Sequence, residues 1–346
     1  MTRKTRYFIL TAAAVLLMGL AAGLIAYLAY DRAAGVAGGL PPELRYVPVD
    51  VALVAFADVR AVMSSDVRRA LMPGTDPDSR KGRQMMNDFA GVDVEKQVDR
   101  IVAYVESSTV QEPQAQPKPE NVRALVLVHG TFDPARIETF IRERGGTMDE
   151  YGGRKIFERV ENGHGIAVGL VGADLIAMGQ ADLVRRVIDT SQDAAVRAKN
   201  ITANAEMMTL IRDNGRSTAW VVGQFDEISR RMRLPSGVTS QVPPIGLVSV
   251  KADINGGVKA TIRAEAGDRA SADQLRDVVR GFISLARLQG GGRQDVGNML
   301  KTIEVSGSDT TVRLSFAISP ETLRVITPRR GNRGRGPGEP GSEPGK

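Results

Sequence analysis

The sequence predicts an α+β fold: repeated β-β-α units forming antiparallel sheets with helices packed on one face, preceded by one transmembrane helix. Three observations predict it. An uncharged run opens the chain, short β-rich runs recur through the body, and most of these runs end in a residue suited to capping a helix.

The opening run extends from Tyr7 to Tyr30, 24 residues without a charge. As a helix it is about 36 Å long at roughly 1.5 Å per residue, enough to cross a bilayer core of roughly 30 Å with tilt to spare. Tyr7, Tyr27 and Tyr30 stand near its ends, where aromatic belts form. Arg3, Lys4 and Arg6 precede it, while Asp31 and Arg32 follow and cancel. The positive-inside rule then puts the N-terminus in the cytoplasm and the body outside. A cleaved signal peptide is the competing reading. Signal h-regions run roughly 7–15 residues, so the length favours a retained anchor.

The capped runs follow a linker at residues 31–43. Leu53–Ala57 leads to Asp58, Leu125–Val128 to Asp133, Leu175–Met178 to Asp182 and Trp220–Val222 to Asp226. Val258–Ile262 leads to Ser271, and Val312–Ile318 to Ser319 with Pro320 behind it. Short polar side chains accept the free N–H groups of a first helical turn, and proline at the first position loses nothing by lacking one. The last five caps are spaced by 49, 44, 45 and 48 residues, which suggests a repeated unit. Asn255-Gly256-Gly257 marks one hairpin turn and Ser306–Asp309 another. A third hairpin joins Ile101–Val105 to Val122–Val128 across the Pro-rich residues 107–120, read as a protruding loop, with a domain linker as the alternative. Leu275, Val278, Val279, Phe282, Ile283 and Ala286 form one apolar stripe, predicting the longest helix over 272–289.

The expected organisation is therefore a basic stub at 1–6, the anchor at 7–30, the linker at 31–43, one lobe at 44–200, a second at 201–328, and an Arg/Gly/Pro tail at 329–346. The formal charge of +6 resides in the two ends, and the body between them is balanced. A basic nucleic-acid face on the body is not expected. The tail suits RNA by composition, but an extracytoplasmic body meets none. An anionic lipid or cell-wall polymer, or no ligand at all, is then the reading for it.

The absence of cysteine excludes disulfides, thiolate catalysis and Cys-based zinc sites. Leu125–Val128 with His129-Gly130-Thr131 matches the strand and His-Gly turn that open an α/β-hydrolase. The required partners are missing. Gly215-Arg216-Ser217-Thr218-Ala219 departs from the nucleophile motif at its last position, and His164 precedes it. His129 is therefore expected to be a strand-end residue, and Asn162–Gly165 a turn. Asp149, Glu150, Asp93, Glu95 and Asp99 are acids with no better claim to catalysis than other surface carboxylates. No catalytic, cofactor-binding or metal-ligating residue is assigned, and no cofactor is expected.

Leu40-Pro41-Pro42-Glu43 with Val49-Asp50-Val51-Ala52, Gly130-Thr131-Phe132-Asp133 and Tyr151-Gly152-Gly153-Arg154-Lys155-Ile156 resemble stretches of uncharacterised bacterial membrane-anchored proteins with an extracytoplasmic domain of unknown function. The resemblance implies a bacterial envelope setting and supplies no activity; with the anchor it leads to the expectation of a single-pass inner-membrane protein whose body is periplasmic or extracytoplasmic. The expected role is a membrane-tethered interaction or scaffolding module, whose partner is an envelope protein or cell-wall component. A carrier or sensor of an apolar ligand is the alternative, and a carboxylate enzyme of the envelope the third reading.

Overall fold

A computed structural model describes residues 39–65, 92, 94–107, 123–143, 145–161, 164–232, 242–254, 256–289 and 294–326. The expected anchor, most of the Pro-rich stretch and the tail lie outside these residues. No helix among the described residues is long and apolar enough to cross a membrane.

The body is α+β, and its strands form one antiparallel sheet of twelve. In chain order, a short 3₁₀ turn η1 (Pro42–Tyr46) precedes β1 (Val51–Asp58) and α1 (Val59–Ser64). Then come α2 (Val94–Gln97), β2 (Val98–Glu106), β3 (Ala124–Gly130) and α3 (Pro134–Glu143). The hairpin strands β4 (Thr147–Tyr151), β5 (Arg154–Glu161), β6 (His164–Leu170) and β7 (Leu175–Gln180) lead to α4 (Ala181–Gln192) and α5 (Ala194–Arg197). A second 3₁₀ turn, η2 (Ile201–Ala203), and α6 (Ala205–Asn214) reach β8 (Ala219–Gln224) and α7 (Phe225–Met232). The described residues finish with β9 (Ile245–Asp253), β10 (Val258–Ala266), α8 (Arg269–Gln289), α9 (Gln294–Lys301), β11 (Glu304–Ser306), β12 (Thr311–Ile318) and α10 (Pro320–Ile326).

The strand order is β11-β12-β10-β9-β8-β1-β2-β3-β7-β6-β5-β4. Its logic is a repeat about the central pair β1–β8. Outward from that pair, β1-β2-β3-β7-β6 on one side matches β8-β9-β10-β12-β11 on the other. A helix follows the first, third and fourth strand of each series: α1, α3 and α4, against α7, α8 and α10. The hairpin β4–β5 is the surplus of the first half. Its two-residue turn is Gly152-Gly153, both at positive φ (56° and 68°), as a tight hairpin requires.

The register carries the same symmetry. One row of directly opposed residues crosses all twelve strands: Met148, Phe157, Val168, Met178, Val126, Ala103, Ala55, Val221, Val250, Ile262, Leu314 and Val305. Every member is apolar. A one-residue slip at any strand would turn that strand's apolar set to the wrong face, so the row specifies the pairing.

Three expectations need correction. Helices pack on both faces of the sheet and not on one. Along β3, Leu125 and Leu127 join a core with α4 and α6, while Val128 joins one with α1 and α3. The reason lies in the composition of β3 and β7, which are apolar at consecutive positions and so must be covered twice. The even spacing of caps does not mark five equal units. Hairpin–helix units do precede α3, α4, α8 and α10, but α7 follows the single strand β8. Three caps are also displaced. α4 starts at Ala181 with no side-chain cap, so Asp182 lies in its first turn, as Asp226 does in α7. α8 is capped by Asp268, whose Oδ1 accepts from Ser271 N at 2.7 Å. Asp58, Asp133 and Ser319 do accept first-turn N–H groups.

The face opposite the apolar row is covered in the first half by η1, α4, η2 and α6. In the second half it carries Lys251, Lys259, Thr261, Arg263, Glu265, Arg313 and Ser315, a water-facing alternation. Arg263 is matched there by Glu265 (2.5 Å) and Asp213 (3.0 Å).

Candidate functional site

Polar chemistry gathers where β1 and β3 end and β2 and β8 begin. Asp58 closes β1 and caps α1, accepting from Ala61 N at 2.8 Å. Opposite it in register stands Arg100. The Arg100 Nε lies 3.0 Å from both oxygens of Glu43, and its Nη2 lies 2.8 Å from Oε1. Glu43 is 3% exposed, so this pair is desolvated, and the fork of the guanidinium supplies the match that burial demands.

One position earlier, the pairing of β2 with β3 slips: Val98 opposes Gly130 and Arg100 opposes His129, leaving Asp99 as the extra residue of a bulge. The bulge lets Asp99 meet Arg60 of α1 and brings its Oδ2 to 3.4 Å from His129 Nδ1. That nitrogen is buried and lacks hydrogen-bond alignment. The other ring nitrogen, Nε2, lies 3.2 Å from Asp174 Oδ2. The two carboxylates sit at opposite edges of one ring and do not converge on a point. Among the described residues no group of three or more ligands could hold a metal ion.

The His-Gly turn has a structural cause. Gly130 N donates to Asp174 O at 2.9 Å and Thr131 N to Gln97 O at 2.7 Å, so three segments cross here. A Cβ on Gly130 would stand 1.8 Å from Gln97 O. His129 is a strand-end residue as expected, and Gly215–Thr218 is a turn leading from α6 into β8. Among the described residues, Asp99 is the one of the acids weighed that is brought to a histidine; Asp93 and the Glu95 side chain lie outside them. Asp149 lies on the outermost strand, 3.9 Å from Arg185, with Glu150 beside it. Glu43, Arg100 and Asp174 were not singled out from the sequence. The adjacent charges Asp99-Arg100 at a strand start were the available signal, since strict alternation cannot place both.

A depression of about 150 Å³ opens beside this cluster, lined by Pro41, Phe56, Asp58, Arg100, Arg216 and Ser217. A second, of about 290 Å³, lies where α6, β8 and β9 meet, lined by Glu206, Met207, Gln224, Asp226, Ile245 and Leu247. Groups whose protonation the fold displaces lie elsewhere. Burial pushes the Tyr104 phenol up. Burial alone would raise Asp182 too, but the hydrogen bond and the charge of Arg123, with backbone N–H donors, together outweigh it and hold the carboxyl below its usual range. The Lys155 hydrogen bond lowers Glu138, and the Asp189 hydrogen bond raises Tyr151. The cluster is thus a set of matched charges that ties the strand ends together, with Arg216 exposed on its rim.

The chain matches no protein-family model, and no curated protein matches it. Among solved structures it is similar to TP0453. Crystal form III of that protein superposes with a TM-score of 0.47 at 9% identity, covering 84% of this chain and 98% of that one. Crystal form I gives 0.45 at 8% identity, covering 84% and 97%. No function is carried over from that likeness.

Proposed function

We propose that this chain is a single-pass protein of a bacterial inner membrane, with its N-terminus in the cytoplasm and its α+β body in the periplasm, acting as an interaction or scaffolding module. The observation that carries the reading is the uncharged run Tyr7–Tyr30 behind three basic residues. The body supports it by what its polar groups do. Arg100, Asp99 and Asp58 are engaged with Glu43, Arg60 and the α1 N-terminus, as fits a rigid platform better than a reaction centre. A carrier of an apolar ligand asks for a cavity walled by aliphatic side chains, whereas both depressions mix charged and other polar groups with a few apolar ones.

The test is fractionation of the full-length chain, with protease added to intact spheroplasts and the mass of the mature chain recorded. Membrane-bound, full-mass protein whose body is digested from outside is the expected result. A soluble chain shortened at the end of the apolar run would replace the anchor by a cleaved signal. A protected body would reverse the orientation.

A further inference from the structure

We propose that the pole of the body where the chain enters from the anchor rests on anionic lipid headgroups, through Arg45, Arg212 and Arg216 around Leu40. This rests on the anchored reading above. Eight residues, 31–38, separate the uncharged run from the first described residue. Fully extended they reach at most about 29 Å. A compact body of this length is roughly 50 Å across by the usual size scaling. The tether is therefore shorter than the body is wide, and the entry pole is held towards the bilayer.

The residues at that pole suit such a surface. Leu40 is 39% exposed and its Cδ2 packs beside Gly215, which joins the entry segment to the turn after α6. Pro41 and Arg216 line the same depression. Arg45, Arg212 and Arg216 are exposed, and among the described residues none of the three is in an ion pair; the Arg45 guanidinium lies 4.9 Å from the centre of the Tyr46 ring. Of the acids nearby, Glu43 pairs with Arg100 and Asp213 with Arg263, while Asp58 and Asp253 accept backbone N–H groups, from the first turn of α1 and from Thr218. What is left over is positive charge around one exposed leucine. Three such residues at an anionic leaflet favour the docked orientation on the order of a hundredfold, an effect that salt screens.

The chain has no cysteine, so a single introduced one can be labelled without ambiguity. The experiment reconstitutes full-length Thr209→Cys and, separately, Ser308→Cys in nanodiscs of phosphatidylcholine alone or with phosphatidylglycerol. Each carries a fluorophore at the cysteine, and a trace of headgroup-quencher lipid is present. Thr209 lies on α6 beside Arg212, and exposed Ser308 lies in the turn between β11 and β12, at the opposite end of the strands from the Gly215–Thr218 turn. Strong quenching at 209 and weak quenching at 308, in phosphatidylglycerol discs only and reversed by salt, is the expected result. It should disappear in the Arg45→Gln, Arg212→Gln, Arg216→Gln triple variant, whose fold is checked by circular dichroism. Equal quenching at both positions, or quenching indifferent to lipid charge, overturns the docking and leaves the anchor standing. Quenching that survives the triple variant removes the arginines from the proposal. A chain that alkaline carbonate washes off the bilayer overturns the anchor and the docking together.

Discussion

Phe56 and Trp220 stack across the β1–β8 seam, ring centroids 5.6 Å apart and planes 25° from parallel. They are direct cross-strand partners on the pair that joins the two halves of the sheet. Trp220 is the chain's one tryptophan and is buried, and its Nε1 has no hydrogen-bond partner among the described residues. Trp220→Ala should therefore cost about 3–5 kcal/mol, as large aromatic truncations in cores do. Trp220→Phe should recover most of that loss, since it keeps the ring and removes a buried unpaired donor. Chemical denaturation followed by far-UV circular dichroism measures both. In the unsubstituted chain, Trp220 fluorescence and circular dichroism should give coincident transitions, because the indole sits on the seam both halves share. Separate transitions would mean that the halves fold independently.

The Glu43–Arg100 pair supports a second prediction. Arg100→Met leaves a carboxylate in a site with almost no access to water, at an expected cost of about 3–5 kcal/mol. Replacing both partners with methionine removes the uncompensated charge and should restore stability to within about 1 kcal/mol of the parent. Denaturation midpoints of the two variants decide it. A single variant as stable as the parent would show that water reaches Glu43.

How much of this was legible in the sequence depends on range. Local signals gave the elements: Asp58, Asp133 with Pro134, and Ser319 with Pro320 mark true helix starts, and Gly256-Gly257 lies at the turn between β9 and β10. The long apolar stripe begins three residues late because Asp268, and not Ser271, accepts the first-turn N–H. Pairing between distant strands was not legible. Nothing in Leu53–Ala57 or Trp220–Val222 says that these runs lie side by side, since any apolar strand can pair with any other until the register row is assembled. The Asp99–His129 approach was half available. The hairpin of β2 and β3 was readable, but the bulge that re-aims Asp99 depends on the crossing of Gln97 over Gly130, a contact made only in the folded sheet.

Asp182 supplies a pH dependence. Its carboxyl, hydrogen-bonded to Arg123, is held below the ordinary aspartate range, so the folded state binds that proton less readily than the unfolded chain. A depressed folded value stabilises above the unfolded value, about pH 4, and the contribution is lost as pH falls through the folded value. The stability difference between the parent and Asp182→Asn should therefore be full at neutral pH and shrink below about pH 4. The side chain is 54% exposed, so the difference should be small and reduced by salt. A gap that widens on acidification would contradict the pairing.

Two glycines should respond oppositely to the same change. Gly130 sits where the start of β2 crosses the end of β3, and a methyl group there would overlap the Gln97 carbonyl oxygen. That oxygen accepts from Thr131 N, so it cannot retreat without breaking the bond that closes the crossing. Gly130→Ala should cost more than about 2 kcal/mol, in the class of backbone-clash substitutions. Gly281 lies within α8, is exposed, and has nothing within 4 Å of an added Cβ. Its cost in the helix is entropic alone, so Gly281→Ala should stabilise by about 0.5–1 kcal/mol. Thermal unfolding of the two variants side by side reads both signs. A stabilising Gly130→Ala would remove the steric reason for the His-Gly pair and return that turn to consideration as a functional element.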